Sequence, residues 1–403
     1  LKSINVRLLY IIYNENLLHN GILRGQVIKL IEQLSQRNEI EEICILSFVN
    51  PMSLIKSRLA WRSLSSSLKS KGIRLKLSPM FFPVKWKFIT TLLSLVHCLP
   101  ILMITLLLGR FNVIHTRSYT AGLLGHLAQL LTGKIHIFDP RGPLPEEMVL
   151  NEIWLEGSYT FKFWKYIEQR IIMQSSSVVA VTPGWKKQFR RRGARKSVFI
   201  PNRADFDYFY SESISKPIPP KPIFLSIGEM NSYWNRPELV SKVYLRLKHK
   251  IPDLHLRLIT RMEADFIQQK LSMLHINDND WSLESFSPEE IPGKISGSSF
   301  GYITAKWHPD GNWPVKMAEY LACGIPLAVD EGADSAITNL VEKWDLGIVI
   351  RDNDESYLQK AVEIVDNMPE YRDRCRWFAK KYLDISRSAD QYLRLYMQEL
   401  RQK

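Results

Sequence analysis

A lysine and a glutamate three residues apart, Lys316 and Glu319, follow a polar triplet, Asp310-Gly311-Asn312, and Pro314. Three-residue spacing puts two side chains on one face of a helix, and proline suits a first helical turn. Gly324 and Pro326 then read as a helix stop and the start of a strand. Strand, polar loop, helix, tight turn and strand is the local order this spells. A helix starting from such a loop offers free backbone N–H groups and a positive dipole end, which suit a diphosphate. Lys316 would counter phosphate charge, and Glu319 would accept from paired ribose hydroxyls. A surface Lys–Glu pair with no ligand has the same spacing and contributes only about 0.2–0.5 kcal/mol.

The first half holds three smaller constellations. Gly21 and Arg24, in the stretch Asn20 to Gln26, follow the apolar run Val6–Tyr13 and open a helix-period segment. A glycine there lets a ligand approach the backbone closely. Asp139 and Arg141 end the apolar run Ile135–Asp139, and His115 and Arg117 end Val113–Thr116. Ligands on parallel sheets gather at the carboxyl ends of strands. Asp139 and Arg141 are accordingly candidates for chemistry, and His115 and Arg117 for contacts with an acceptor. A turn cap is the structural alternative for Asp139, which precedes Pro140, and a satisfied core histidine is equally open for His115.

Strand-length apolar runs alternate with helix-period segments throughout, the pattern of an α/β fold with parallel sheets. Val6–Tyr13, Glu42–Phe48, Val113–Thr116, Ile135–Asp139, Val178–Val181 and Ser197–Ile200 form a first series. Ile223–Ile227, His255–Ile259, Gly301–Thr304, Pro326–Val329 and Leu346–Ile350 form a second. Ser211–Lys221, rich in proline and serine, reads as the linker between them. The 403 residues suffice for two cores, and 45% hydrophobic with 24% charged residues excludes global disorder. Four scattered cysteines give no disulfide framework or zinc motif and point to a reducing compartment. No secretory leader pattern precedes Val6, while the opening on Leu1 leaves room for an upstream segment.

Charge is divided unevenly. Residues 1–200 carry 28 basic and 11 acidic side chains, residues 201–403 carry 26 and 30, and 51–100 hold nine basic and no acidic ones. A basic first half suits an anionic partner such as a membrane surface, or else a solvated face. Phe88–Leu108 has no charged residue and just reaches transmembrane length. A span there would split one sheet across a bilayer, so a buried or interface-seated helix is expected, with Lys85 and Lys87 suited to anionic lipid. The basic run Lys186–Lys196 lacks aromatic interleaving, so no nucleic acid is expected.

Pro314-x-Lys316-x-x-Glu319-Tyr320, with Gly324-x-Pro326 after it, resembles the donor-binding signature of glycosyltransferase family 4. Ile200-Pro201-Asn202 with Asp205, Gly228-Glu229 and Ser287–Pro292 resemble other family segments, and the likeness runs from about Val6 to Ile350. Gly311 stands where the family has the first glutamate of its E-x7-E motif, leaving Asp310 or Asn312 to hold sugar hydroxyls. Glu229 stands where the family has an arginine, and Arg236 is the nearest cation to the family's lysine. The resemblance implies the GT-B fold: α/β, with two Rossmann-like doubly wound domains facing across a cleft. Residues 1–208 would form the acceptor domain, 209–384 the nucleotide-sugar domain, and 385–403 a helix crossing back to the first.

It further implies a retaining, metal-independent transfer of a hexosyl or related sugar from a nucleotide diphosphate. No cofactor is expected; a UDP-sugar is the favoured co-substrate. Gly21, Arg236, Asp310, Gly311, Asn312, Lys316 and Glu319 would bind donor. Asp139 and Arg141 would be catalytic, and Arg24, His115 and Arg117 would meet the acceptor. A glycan or lipid-linked acceptor in bacterial surface polysaccharide synthesis, handled in the cytoplasm at the inner membrane face, fits the charge pattern. Two other readings are open: a GT-B sugar-nucleotide epimerase, and a degenerate nucleotide-sugar-binding or interaction protein.

Overall fold

The computed structural model describes residues 5–18, 21–80, 88–230, 235–304, 313–330 and 335–403. Asn20, Lys85, Lys87 and the triplet Asp310-Gly311-Asn312 lie outside them. The chain divides into two compact units, Leu1–Pro201 with Ser386–Lys403, and Asn202–Ile385.

In the first unit β1 (Val6–Tyr13), β2 (Ile40–Val49), β3 (Ile73–Pro79), β4 (Val113–Arg117), β5 (Ile135–Asp139), β6 (Ser177–Ala180) and β7 (Ser197–Phe199) form one sheet. Their order is β3-β2-β1-β4-β5-β6-β7, with parallel pairing. Strands covered on both faces read as apolar runs; β1 does from Leu8 to Tyr13, while β4 and β5, buried throughout, open on apolar residues and carry His115, Thr116, His136 and Asp139 inside. β3 escaped the sequence reading because it is an edge strand whose outward residues are Arg74 and Lys76. Order reverses between β1 and β4, so the carboxyl ends of those strands are the expected ligand position.

Phe88–Leu108 is one helix between β3 and β4, with Pro100 inside it. Its inner side packs Cys98, Leu102 and Leu106 against Leu9, Ile11, Leu46 and Phe48 of the sheet and Leu124 of the helix Tyr119–Thr132. Among the described residues no helix is long and apolar enough to cross a membrane. The last helix, Ile385–Arg401, packs on this unit: Glu399 accepts from Ser177 at 2.8 Å, and Asp390 accepts from Arg37 at 3.0 Å.

The second unit carries β8 (Ile223–Ile227), β9 (His255–Ile259), β10 (Trp281–Glu284), β11 (Phe300–Ile303), β12 (Leu327–Asp330) and β13 (Gly347–Ile350). They are ordered β10-β9-β8-β11-β12-β13, again with parallel pairing. Edge position also hid β10, which has no fully buried residue. The order reverses between β8 and β11.

Ser211–Lys221 is not the linker. It lies within the second unit, its first residues finishing the helix Phe206–Ile214. Ser213 is buried there, its carbonyl accepting from the Ser296 hydroxyl at 2.9 Å. The chain instead changes unit at Pro201–Asn202 and again at Ile385–Ser386. Near these points Ala204 N–H donates to Leu383 O at 3.1 Å, and Ile385 N–H donates to Ala204 O at 2.8 Å.

Candidate functional site

In the first unit the carboxyl ends of β1, β4 and β5 gather a buried polar cluster. Asp139, fully buried at the end of β5, uses Oδ2 three times. The Tyr392 hydroxyl donates to it at 2.8 Å, Arg141 Nη2 lies at 2.9 Å and His115 Nε2 at 3.5 Å. Asp139 is therefore held by side chains, and the turn-cap alternative falls. Burial raises its carboxyl, but Arg141, His115 and Arg117 outweigh that and hold it at about 2. An acid this strong is ionised at neutral pH, so it accepts hydrogen bonds or faces positive charge and does not protonate a leaving group. Its Oδ1 is buried with no hydrogen-bond partner among the described residues.

The His115 ring packs, tilted, against the rings of Tyr10, at 4.5 Å between centroids, and Tyr392, at 5.0 Å. Burial lowers its pKa against the pull of Asp139, so the ring is neutral. Its Nδ1 lies 2.6 Å from the Tyr396 hydroxyl. A tautomer with Nε2–H toward Asp139 and Nδ1 accepting from Tyr396 suits both partners. Arg117 spans the reversal point, donating to Glu15 past β1 and to Gln26 at 3.0 Å each. Gln26 is buried in a π-helical turn, Arg24–Ile28, between the short helix Gly21–Leu23 and Lys29–Ser35. Such turns recur at functional sites. Arg24 is exposed on that turn, and a Cβ on Gly25 would meet open space, so packing does not require that glycine.

Backbone strain gathers at the same place. Ser118 has φ 68° and ψ 177°, a region almost reserved for glycine, and Arg141 has φ 67°. Each costs about 1–3 kcal/mol and persists only where surroundings impose it. Ser118 N–H is tied to Asp139 O at 2.9 Å. Beyond Arg141, the Glu147 carboxylate fills the space over Gly142, and burial with Glu146 pushes it up to about 7.

In the second unit Lys316 and Glu319 stand on the helix Val315–Ala322, both half-buried. Burial pushes Lys316 down to about 8 against Glu319, and Glu319 up to about 7 against Lys316. Partial burial, with these shifts, sets the pair apart from an exposed surface pair. Lys316 Nζ reaches Ile227 O, at the carboxyl end of β8, at 3.5 Å. There Gly228 turns with φ 120°, and buried Asn235 ties the loop by donating to Glu229 O at 3.1 Å. Arg236 then occupies the N-cap position of the helix Pro237–Lys250, with no side-chain cap bond. Lys316 and this loop thus stand at the second order reversal, beside a helix N-terminus. Gly324, at φ 76°, ends the Lys316 helix, and Ile325 N–H bonds back to Tyr320 O at 2.9 Å. Gly301 of β11 makes room for the Tyr320 ring.

Residues 70–203 match the family model described as a glycosyl transferase 4-like domain. Solved structures share the two-sheet architecture along nearly the whole chain. HepE of Anabaena in complex with UDP superposes with a TM-score of 0.67 at 12% identity, covering 98% of this chain and 100% of its own. Sucrose-phosphate synthase of Thermosynechococcus elongatus gives 0.64 at 13%, covering 98% and 100%. A putative UDP-N-acetylglucosamine 2-epimerase of Listeria monocytogenes gives 0.59 at 12%, covering 96% and 95%. Residues 70–203 thus carry a glycosyl transferase 4-like domain, and the whole chain has the GT-B fold. No curated protein matches it by sequence.

The structure brings Asp139, Arg141, His115 and Arg117 into one cluster and seats Lys316 beside the loop that leads to Arg236. Gly21 and Arg24 lie on the segment that buries Gln26. Asp310, Gly311 and Asn312 are outside the described residues. Sequence reasoning missed Tyr10, Glu15, Gln26, Glu147, Tyr392 and Tyr396. The one available signal was the four-residue spacing of Tyr392 and Tyr396, which puts two hydroxyls on one helix face. Among the described residues no group of three or more His, Cys, Asp or Glu is placed to hold a metal ion.

Proposed function

We propose that this glycosyltransferase moves a sugar, with retention and without a metal, from a UDP-sugar to a hydroxyl of a glycan or lipid-linked acceptor. The observation that carries the reading is the recessed Lys316–Glu319 pair beside the β8 loop and the helix that begins at Pro237. In this reading Lys316, Arg236 and the N–H groups of that helix hold the diphosphate, and Glu319 accepts from the ribose. Gly21, Asp310, Gly311 and Asn312 complete donor binding. UDP and glucose, named with the Anabaena structures, support the choice of donor.

As the bond from the anomeric carbon to the diphosphate breaks, negative charge grows on the leaving group and positive charge on the sugar. Preorganised cations stabilise the first. Asp139, ionised and with Oδ1 buried but without a hydrogen-bond partner among the described residues, stabilises the second or orients the sugar. Arg141 balances the carboxylate, while His115, Arg117 and Arg24 meet the acceptor. A cytoplasmic setting in surface polysaccharide synthesis completes the proposal.

Thermal shift with UDP-, GDP-, ADP- and dTDP-sugars, on wild type and Glu319→Ala, is the test. Donor at a hundred times its Kd should raise Tm by roughly 5–10 °C, and the variant should lose most of that. Absence of a shift with every donor would favour a degenerate binding module. The epimerase reading has the Listeria likeness behind it and would show donor turnover without acceptor.

A further inference from the structure

From Leu93 to Leu108 the helix Phe88–Leu108 is apolar on both sides, yet among the described residues only its inner side is covered. Its outer stripe, Leu93, Val96, Pro100, Ile104 and Leu107 at steps of three and four residues, with Leu108 beside the last, faces solvent, Val96 being 76% and Leu108 81% exposed. From Leu93 to Leu108 the stripe runs about 22 Å at 1.5 Å per residue. Beside it, the helix Tyr119–Thr132 exposes Leu130 and Leu131 in its last turn. Single exposed leucines need no explanation, but a contiguous stripe of this length marks an interaction surface.

Charge decides what covers it. From Ile43 to Phe138 there is no aspartate or glutamate, while 12 lysines and arginines occur. Exposed Arg110 directly follows the first helix, and Lys134 closely follows the second. A symmetric dimer through this face would set the patch against itself and bring like charges together. A lipid surface with anionic headgroups takes the apolar stripe into its acyl boundary and Arg110 and Lys134, at the ends of the two helices, among its phosphates.

We propose that the outer face of Phe88–Leu108, with Arg110 and Lys134 at its end, docks the protein on an anionic lipid surface. The helix lies in the interface plane, because its inner side belongs to the core of the first unit. This surface carries none of the residues assigned to donor or acceptor, so it stands independently of the proposed reaction.

Co-sedimentation with phosphatidylcholine vesicles, with and without phosphatidylglycerol, tests the assignment on the full chain. Wild type should bind the anionic vesicles, and added salt should weaken binding. Leu107→Ser with Leu108→Ser, both exposed, should reduce binding about tenfold or more. Arg110→Glu should reduce it for anionic vesicles, with the unfolding transition of both variants unchanged. Failure of wild type to bind, or leucine variants that bind as wild type does, would overturn the proposal. So would a concentration-dependent dimer that the leucine changes abolish, since a second copy would then be the occupant. Vesicle binding without any donor-induced thermal shift would sink the transferase reading and leave this one standing.

Discussion

Replacing Tyr392 by phenylalanine removes one hydroxyl and keeps the ring packed on His115. That hydroxyl donates to Asp139 Oδ2 at 2.8 Å, and a hydrogen bond to a charged acceptor contributes about 1.5–3 kcal/mol. Arg141 stays at 2.9 Å, so the carboxylate remains ionised and the variant folds. At about 1.4 kcal/mol per pKa unit, losing the bond raises the Asp139 carboxyl by about 1–2 units from its value of about 2. The native value lies below the ordinary 3.8, so this group contributes stability above about pH 4, about 2 kcal/mol in full, and loses it as pH falls toward 2. In Tyr392→Phe that contribution is smaller, and the loss is confined to the upper part of the window. Urea unfolding of wild type, Tyr392→Phe, Asp139→Asn and the double variant measures the coupling. A charged acceptor binds the hydroxyl more strongly than an amide, so about 1 kcal/mol of coupling is expected. Additivity within about 0.3 kcal/mol would refute the contact as an energetic link. In kinetics, kcat should fall more than KM for donor rises, because Lys316, Glu319 and Arg236, assigned to the nucleotide, do not touch Tyr392.

Lys316→Ala should weaken donor binding through the diphosphate and Glu319→Ala through the ribose, so UDP alone should still report both losses by calorimetry. Donor affinity should follow a bell in pH, rising as Glu319 ionises near 7 and falling as Lys316 loses its proton near 8 in the nucleotide-free protein; a flat profile across those values would sink the pairing. Gly301→Ala would set a Cβ 2.3 Å from the buried Tyr320 ring, costing about 1–3 kcal/mol on urea unfolding and weakening donor binding through the neighbouring Glu319.

Parallel strands buried on both faces announce themselves as apolar runs, which is why β1, β4, β5, β8, β9 and β12 were legible within a residue or two. β3 and β10 were not, because an edge strand needs only one apolar face and then resembles a loop. Proline and serine misled the search for the linker: Ser211–Lys221 is punctuated by them, whereas the true crossings at Pro201 and Ile385 are short and backbone-paired. Lys316, Glu319, Asp139 and Arg141 could be found because each sits within a few residues of a strand end or helix start. Tyr392 and Tyr396 could not be placed the same way. They lie more than 250 residues from Asp139 and His115, and only the folded chain brings their hydroxyls there.

The pairing of Ala204 with Asp384 makes the second unit an uninterrupted insertion whose two ends meet. A fragment covering residues 202–385 would have adjacent termini, the condition under which excision or circular permutation is tolerated. The first unit is not separable by one cut. Truncation before Ser386 would discard the Tyr392 and Tyr396 hydroxyls and leave the Asp139 carboxylate and the His115 ring each short of a partner. Ser386–Lys403 is thus a lock on the first unit, and a nascent chain cannot finish that unit's cluster until the whole second unit has been synthesised.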